Sequence, residues 1–374
     1  MVRTLFFFFC ILSVGGNAAL AEPLKTPETH RFPSLISSLR IDGPIDFCGE
    51  TVPLDNPEVR ERLEKEMLLM LWDRAQVILW LKRSTRYLPH IEKMLKENSM
   101  PDDLKYVPIV ESALLPHAGS RKGAIGFWQF MKGTGRKYGL TINARMDERR
   151  NFFTSTGAAI RYFKELYAMF GSWTLSAAAY NMGEKGLESE ILTQKNNKYY
   201  QLYLSLETQR YVLRIVAVKL IMANPQKYGF HLKNVDLYPP LQFDRVKMEC
   251  PAETPIQIVA EAANTYYKSI KDLNPEIRGH TLARGRHSIL IPQGSAKGFH
   301  TRYEKLLSQW LVENKGNVYV VKKGDNLTAI SRRFDVPLPA LAKWNGLNLK
   351  KPIHPGQRLI IYPKKVKPVQ KTQK

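Results

Sequence analysis

One carboxyl group of the chain lies in a setting that favours acid catalysis. Glu111 follows the apolar run at residues 107–110, and no Asp or Glu occurs between Ser112 and Met146. A carboxyl group in apolar surroundings, far from other carboxylates, has a raised pKa, which a general acid needs near neutral pH. Position alone leaves a structural alternative, in which Glu111 caps a turn or pairs with a nearby arginine.

Two further segments carry groups that suit a sugar. The Gly-rich residues 119–139 contain Trp128 and Gln129, a flat surface and an amide for a ligand with an apolar face and a polar edge. This segment matches neither glycine motif that binds phosphate, so phosphate binding is not favoured. Tyr180 and Asn181 follow three alanines. Close packing of the alanines and a Gly cap do not explain these two polar residues.

The sequence predicts no metal site and no cofactor. The eight histidines are scattered, and no H-E-x-x-H or C-x-x-C motif occurs. Removal of an N-terminal leader would leave Cys48 and Cys250. An oxidising compartment permits these two to pair, but their separation in sequence leaves a disulfide and two free thiols equally open.

The net charge limits the class of partner, and the N-terminal sequence limits the compartment. The formal net charge of +22 indicates an anionic partner such as nucleic acid, anionic lipid or an acidic wall polymer, although it also aids solubility. Residues 1–21 have the pattern of a secretory signal cleaved after Ala21. Their apolar run is shorter than the roughly 20 residues of a spanning helix, and Cys10 lies inside it, so neither a span nor lipidation is predicted. Export argues against nucleic acid as a partner.

Helices must position most of these groups. A cap, a proline and an acidic first turn at residues 56–58 open a helix whose apolar stripe extends to Leu81. We interpret that stripe as core packing. Periodicity and caps predict further helices over residues 87–98, about 100–111, 154–170, 174–183 and from 207 to about 224. Glu111 would thus lie late in a short helix, at the mouth of a site.

The C-terminal part contains a weak repeat. Residues 254–292 and 325–363 align without gaps at an offset of 71 (325 − 254), with few identities. Leu273 and Asn274 fall on Trp344 and Asn345. Each copy is predicted to form two short helices and a closing strand. The second copy also has an entering strand at residues 318–321 and a Gly-Asp turn, which the first copy lacks.

In order and spacing, the motifs resemble those of the family 1 lytic transglycosylases. The four that carry the resemblance are Glu111-Ser112 and residues 126–129, 179–183 and 207–211. Residues 318–363 resemble a LysM peptidoglycan-binding module. The resemblance implies a mainly α, lysozyme-like catalytic domain and a small α+β LysM module (βααβ), preceded by a degenerate LysM-like segment.

The expected organisation has six segments. They are a signal peptide (1–21), an extended N-terminal lead (22–55), the catalytic domain with an N-terminal helical extension (56–235), a connector with the degenerate repeat (236–300), the LysM domain (318–363) and a basic, disordered tail (364–374).

The resemblance implies a function on peptidoglycan glycan strands, in the periplasm or cell envelope, with peripheral envelope association left open. The bond cleaved would link N-acetylmuramic acid to N-acetylglucosamine, with Glu111 as the catalytic residue. Six residues would bind the glycan or line its cleft: Ser112, Gln129, Tyr180, Asn181, Glu207 and Tyr211. Acidic peptide stems would attract the basic chain, and the LysM module would raise the effective concentration of the enzyme at the wall.

The isolation of Glu111 bears on the mechanism. Glycosidases normally use two carboxylates, whereas the motif that follows Glu111 contains none. The residues therefore favour one group that acts twice, first protonating the glycosidic oxygen and then deprotonating the 6-hydroxyl to give a 1,6-anhydro sugar. Two alternatives stay open. One is a hydrolytic muramidase, if folding brings Glu207 close, and the other is a wall-binding protein without activity.

Overall fold

The computed structural model describes residues 33–41, 43–314, 318–349 and 351–362. The predicted signal peptide and basic tail lie outside these residues. The mainly helical class is confirmed, and the strands form short antiparallel pairs. None of the helices in the described ranges has the length and apolar content that crossing a membrane requires.

The N-terminal and catalytic part packs around one hydrophobic cluster, whose buried members lie between residues 45 and 230. Its strands are β1 (Asp46–Phe47) and β2 (Glu50–Thr51). Its helices are α1 (Leu35–Ser38), α2 (Pro57–Trp72), α3 (Arg74–Glu97), α4 (Val107–Ser112), α5 (Lys132–Lys137), α6 (Phe152–Phe170), α7 (Trp173–Met182), α8 (Glu184–Gln194) and α9 (Leu206–Ala223).

The helix boundaries between residues 57 and 97 differ from the prediction. The expected helix through Leu81 ends at Trp72, because Asp73 terminates α2 and caps α3 by accepting a hydrogen bond from the Gln76 N–H. Helix α3 then continues through Pro89, so the helix predicted over 87–98 is its second half.

The lead before α2 also differs from the extended segment expected. Phe47 of the β1–β2 hairpin is fully buried. The Glu50 carboxylate accepts hydrogen bonds from the backbone N–H groups of Trp173 and Thr174 at the start of α7. A carboxylate is favoured at a helix N-terminus, so the hairpin fixes this end of α7.

Residues 243–292 form a βααβ unit with its own hydrophobic cluster. Strand β3 (Phe243–Cys250) pairs antiparallel with β6 (Gly285–Pro292), and β4 (Thr254–Pro255) pairs with β5 (Thr281–Leu282). Helices α10 (Ile256–Ala262) and α11 (Tyr267–Leu273) lie between them, and α12 (Phe299–Asn314) covers α10. The entering strand β3 was not predicted from the sequence. We call residues 243–292 the docked unit, for contacts described below.

Residues 318–361 form a second βααβ unit, the LysM unit, around a third cluster. Strand β7 (Val318–Val320) pairs antiparallel with β8 (Arg358–Ile360). Helices α13 (Leu327–Arg333) and α14 (Leu338–Trp344) lie between these strands. The strand order and the helix pair match the predicted LysM topology.

An asparagine clamp is common to the two units. Asn274 donates to the carbonyls of Ile270 and Leu290 and accepts from the Leu290 N–H. Asn345 makes the same three bonds with Leu341 and Ile360. The clamps relate the asparagines at an offset of 71 (345 − 274) but the closing strands at 70 (360 − 290). The gapless alignment is therefore wrong in the closing strand, since the LysM unit is one residue shorter there.

Candidate active site

Helix α4 places Glu111 in the lining of an open cleft of about 610 Å³. The helix ends directly after Ser112, because Ala113 and Leu114 adopt left-handed conformations. The Arg83 guanidinium on α3 donates to the Ala113 carbonyl and holds this end of the helix. The short helix thus presents Glu111 at its last turn, as the sequence predicted.

The surroundings of Glu111 raise the pKa of its carboxyl group toward neutral pH. The side chain is half-buried, and burial raises the pKa of Glu111 to about 7. Opposing this rise, the Tyr211 hydroxyl donates a hydrogen bond to Glu111 Oε1 at 2.5 Å, and the Arg214 charge also lowers the pKa. The negative charge of Glu207 raises it. A group with this pKa can both donate and accept a proton at neutral pH.

One wall of the cleft is the segment 118–131, which we call the wall loop. Much of the lining comes from it: Ser120, Arg121, Lys122, Ala124, Gln129, Phe130 and Met131. Gly126 has φ +86°, and a Cβ there would lie 1.8 Å from the Arg149 carbonyl oxygen. Only glycine permits this close approach. The Gln129 amide nitrogen donates to the carbonyls of Ala118 and Gly126, which fixes the side chain within the loop.

A second part of the lining comes from the end of α7 and the start of α9. Tyr180, Asn181 and Glu207 all line the cleft with Glu111. The Tyr180 ring stacks on Phe163 at 4.6 Å, and its hydroxyl donates to the Trp128 carbonyl. Asn181 Oδ1 accepts from the Thr208 hydroxyl. Glu207 is exposed in the first turn of α9, so the structure brings a second carboxylate into the cleft.

Three residues expected at the glycan lie behind the cleft. Ser112 is buried, and its hydroxyl lies 2.9 Å from the Pro108 carbonyl oxygen and 2.8 Å from that of Phe127. Tyr211 is buried and supports Glu111 from α9. Trp128 is buried with its Nε1–H donated to Thr156 Oγ1, so its ring is no sugar platform. None of these three side chains is among the residues that line the cleft, and their hydrogen bonds support the segments that form it.

The cleft also contains a charged group that the sequence did not predict. Glu184 lines it and accepts a hydrogen bond from the Tyr162 hydroxyl at 2.8 Å. Burial acts to raise the pKa of Glu184, but hydrogen bonds from its own N–H and from Tyr162 outweigh burial and lower it. Glu184 is therefore a carboxylate at neutral pH, whereas Glu111, with a pKa of about 7, can act as an acid. Its position next to Gly183, just after Tyr180 and Asn181, was the available signal.

The described residues bear on two features, metal ligation and the pairing of the cysteines. No group of three or more His, Cys, Asp or Glu side chains there could hold a metal ion. Cys48 and Cys250 are both free, which decides the question of the disulfide that the sequence left open.

Comparison with known proteins identifies two domains in the chain. Residues 89–203 match the model of the transglycosylase SLT domain, and residues 319–361 match that of the LysM domain. The fold and site thus define an SLT-type catalytic domain joined to a LysM domain.

Two relatives show the family more fully. Membrane-bound lytic murein transglycosylase D of Escherichia coli K12 is 32% identical over 365 residues, which cover 94% of this chain and 79% of the relative. The protein of the same name from E. coli O6:H1 gives the same values. The chain therefore belongs to the lytic transglycosylase family that includes these proteins.

A solved structure gives a more distant likeness. The 70 kDa soluble lytic transglycosylase of E. coli aligns with 47% of this chain, at 18% identity and a TM-score of 0.34. The aligned part spans 30% of the length of that protein.

Proposed function

We propose that the chain cleaves the β-1,4 bond from N-acetylmuramic acid to N-acetylglucosamine without water and leaves 1,6-anhydro-muramic acid ends. The observation that supports this most is the state of Glu111, a cleft carboxyl whose pKa burial raises to about 7. Such an enzyme is a carbon–oxygen lyase. Its substrate is the glycan strand of peptidoglycan, in keeping with the LysM domain match.

In the first step, Glu111 protonates the glycosidic oxygen. The Tyr211 hydroxyl occupies Oε1, so Oε2 carries the proton toward the cleft. As the C1–O bond breaks, charge builds up on the sugar ring and on the carboxylate left behind. The Tyr211 hydrogen bond stabilises that carboxylate. Burial and the charge of Glu111 raise the pKa of Tyr211 far above its usual value, so the phenol remains a donor.

In the second step, the Glu111 carboxylate removes the proton of the 6-hydroxyl of the same muramic acid. O6 then bonds to C1, which closes the anhydro ring, and Glu111 regains its proton for the next turnover. No water enters the balance. The N-acetyl group of the substrate helps to stabilise the cation between the two steps.

The lining residues give the binding roles. Gln129 uses its amide nitrogen within the wall loop, so its amide oxygen is the group it offers to the glycan. Tyr180 offers its ring, because its hydroxyl bonds Trp128. Asn181 offers its amide nitrogen, since Oδ1 accepts from Thr208. Glu207 stands at the cleft mouth, where a sugar hydroxyl could donate to it.

One observation favours a second function, hydrolysis. Glu207 shares the cleft and is near enough to raise the pKa of Glu111, so it could activate water as a base. Mass spectrometry of muropeptides released from purified sacculi separates the two reactions. We expect muramic acid ends lighter by one water than the hydrolysed form. Reducing ends would overturn the lytic mechanism.

The compartment follows from the same substrate. We propose that the chain is exported to the periplasm or cell envelope, where peptidoglycan lies, by means of the signal predicted at residues 1–21. Fractionation of cells that express the full chain tests this, and retention of the unprocessed protein in the cytosol would contradict it.

A further inference from the structure

The two βααβ units use the same loop in different ways. In the LysM unit the segment after the second helix, residues 345–349, is largely exposed, and Leu349 is 52% accessible. In the docked unit the corresponding residues 274–278 lie against the catalytic part, and Glu276 and Ile277 are only 5% and 2% accessible. The face that one unit leaves open thus serves the other for docking.

The docking contact is made first by backbone. The Asp147 N–H donates to the Glu276 carbonyl at 2.9 Å, and the Arg278 N–H donates to the Arg145 carbonyl at 2.8 Å. Met146 and Ile277 form the bridge between these bonds. Paired backbone bonds define a register, so residues 145–147 are fixed to the docked unit.

Side chains strengthen the contact on both sides. Glu276 Oε1 accepts from the Asn151 amide nitrogen at 2.8 Å, while Asn151 Oδ1 caps α6 at Thr154. Glu276 Oε2 is buried and has no hydrogen-bond partner among the described residues. Phe243 packs edge-on against Phe153 at 5.3 Å. A buried carboxyl oxygen without a hydrogen-bond partner costs stability. The position of Glu276 therefore points to a role in what this contact holds in place, residues 145–151.

From this contact a short chain of bonds reaches the cleft. Asp147 is buried and holds the Arg149 guanidinium through two bonds, at 2.9 and 2.8 Å. Arg149 Nη1 then donates to the carbonyls of Gly123 and Phe130, at 3.0 and 3.1 Å. Both carbonyls belong to the wall loop. The docked unit is therefore separated from the cleft wall by one layer, residues 145–151.

We propose that the docked unit is a fixed brace for the active-site cleft and that Glu276 is a positioning residue for the wall loop. In this role the unit does not search for glycan as a tethered module does. Through Asp147 and Arg149 it holds the loop that carries Gln129 into the cleft. The effect on cleavage rests on the proposed function, whereas the mechanical coupling does not.

Hydrogen exchange of the full chain measures the coupling without any substrate. Glu276→Ala removes the acceptor of Asn151, and we expect amide exchange in residues 123–130 and 145–151 to rise roughly ten-fold. Glu276→Gln keeps an Oε1 acceptor and should restore slow exchange. Glu261→Ala, an exposed carboxyl on α10 of the same unit, is the matched control and should change nothing in the wall loop.

One exchange pattern would contradict the proposal that the docked unit braces the wall loop. If Glu276→Ala speeds exchange in the docked unit but leaves residues 123–130 at the wild-type rate, the carboxyl is merely structural. Should Glu276→Ala fail to fold, Asn151→Ser decides from the other side. Serine keeps a capping oxygen for α6 and loses the donor to Glu276, so the wall loop should still loosen.

A second experiment measures the cleavage of soluble glycan strands. We expect Glu276→Ala to lower kcat/KM roughly ten-fold, mainly through a higher KM, because the wall loop misplaces the glycan. Glu276→Gln and Glu261→Ala should keep wild-type values. Wild-type protein that cleaves nothing contradicts the proposed function alone, whereas equal kcat/KM in all variants contradicts the brace alone.

Discussion

The docked unit and the LysM unit share a strand order, a helix pair and an asparagine clamp, yet they relate differently to the rest of the chain. The docked unit is covered on one face by α12 and pinned on another by residues 145–151. The LysM unit keeps the loop at 345–349 exposed. The comparison teaches that one small fold can serve as a scaffold or as a binding module, depending on which face is covered.

The largest effect expected in the molecule belongs to neither unit. Glu111→Gln removes the proton that both chemical steps use, so cleavage of sacculi should fall by about 10²- to 10⁴-fold. Binding of the variant to sacculi in a pelleting assay should equal that of the wild type, because neither βααβ unit is altered. Cleavage that persists at more than a tenth of the wild-type rate would show that another group is the acid.

Removal of the LysM unit sharpens the contrast. A chain that stops after Asn314 should bind sacculi roughly 10- to 100-fold more weakly, because the second attachment is lost. Its kcat/KM on short soluble glycans should be unchanged, since α12 and the docked unit remain. Circular dichroism checks that the shortened chain folds, and loss of activity on short glycans in a folded protein would contradict the division of labour.

The two clamps permit a matched pair of substitutions. Asn274 is fully buried, whereas Asn345 is partly exposed. In each unit, replacement by alanine leaves the same N–H and carbonyl groups of the closing strand without their hydrogen-bond partner. We expect Asn274→Ala to cost about 2–4 kcal/mol and Asn345→Ala about 1–2 kcal/mol, because water can reach only the second site. Hydrogen exchange in each unit, monitored as urea unfolds the protein, measures both losses of stability. Equal losses would show that the two clamps are equally shielded.

The smallest effect expected is a shift of the pH profile. The Tyr211 hydrogen bond lowers the pKa of Glu111, so Tyr211→Phe should raise it. Activity requires protonated Glu111 and is lost as the pH rises through that pKa. The alkaline limb of kcat/KM should therefore move upward by about 0.7 pH unit, for a bond worth roughly 1 kcal/mol. The chain without the LysM unit should show the same shift, and a downward shift would contradict the assigned hydrogen bond.

Much of this arrangement could be predicted from local sequence. The helix signals over about residues 100–111 predicted the late position of Glu111 in a short helix, and the four motifs contain seven of the sixteen residues that line the cleft. The sequence could not give the side of a helix or loop that faces the cleft. Tyr211, Ser112 and Trp128 therefore lie behind it, in contacts that only the packed fold defines.

Other features depend on partners distant in the chain. Strand β3 was missed because its alternating pattern acquires meaning only beside β6. The break at Asp73 reflects a local cap that competes with a continuous apolar stripe. The brace depends on backbone pairing between residues 145–147 and 276–278, and no sequence pattern predicts such pairing in irregular segments.

The central claim is that one carboxyl group performs both proton transfers and that no water enters the products. It is tested most directly by digesting purified sacculi in oxygen-18-labelled water with the wild type and with Glu207→Gln. We predict unlabelled 1,6-anhydro-muramic acid ends from both proteins. Labelled reducing ends from the wild type that disappear with Glu207→Gln would contradict the claim, because they would identify Glu207 as the base of a hydrolase.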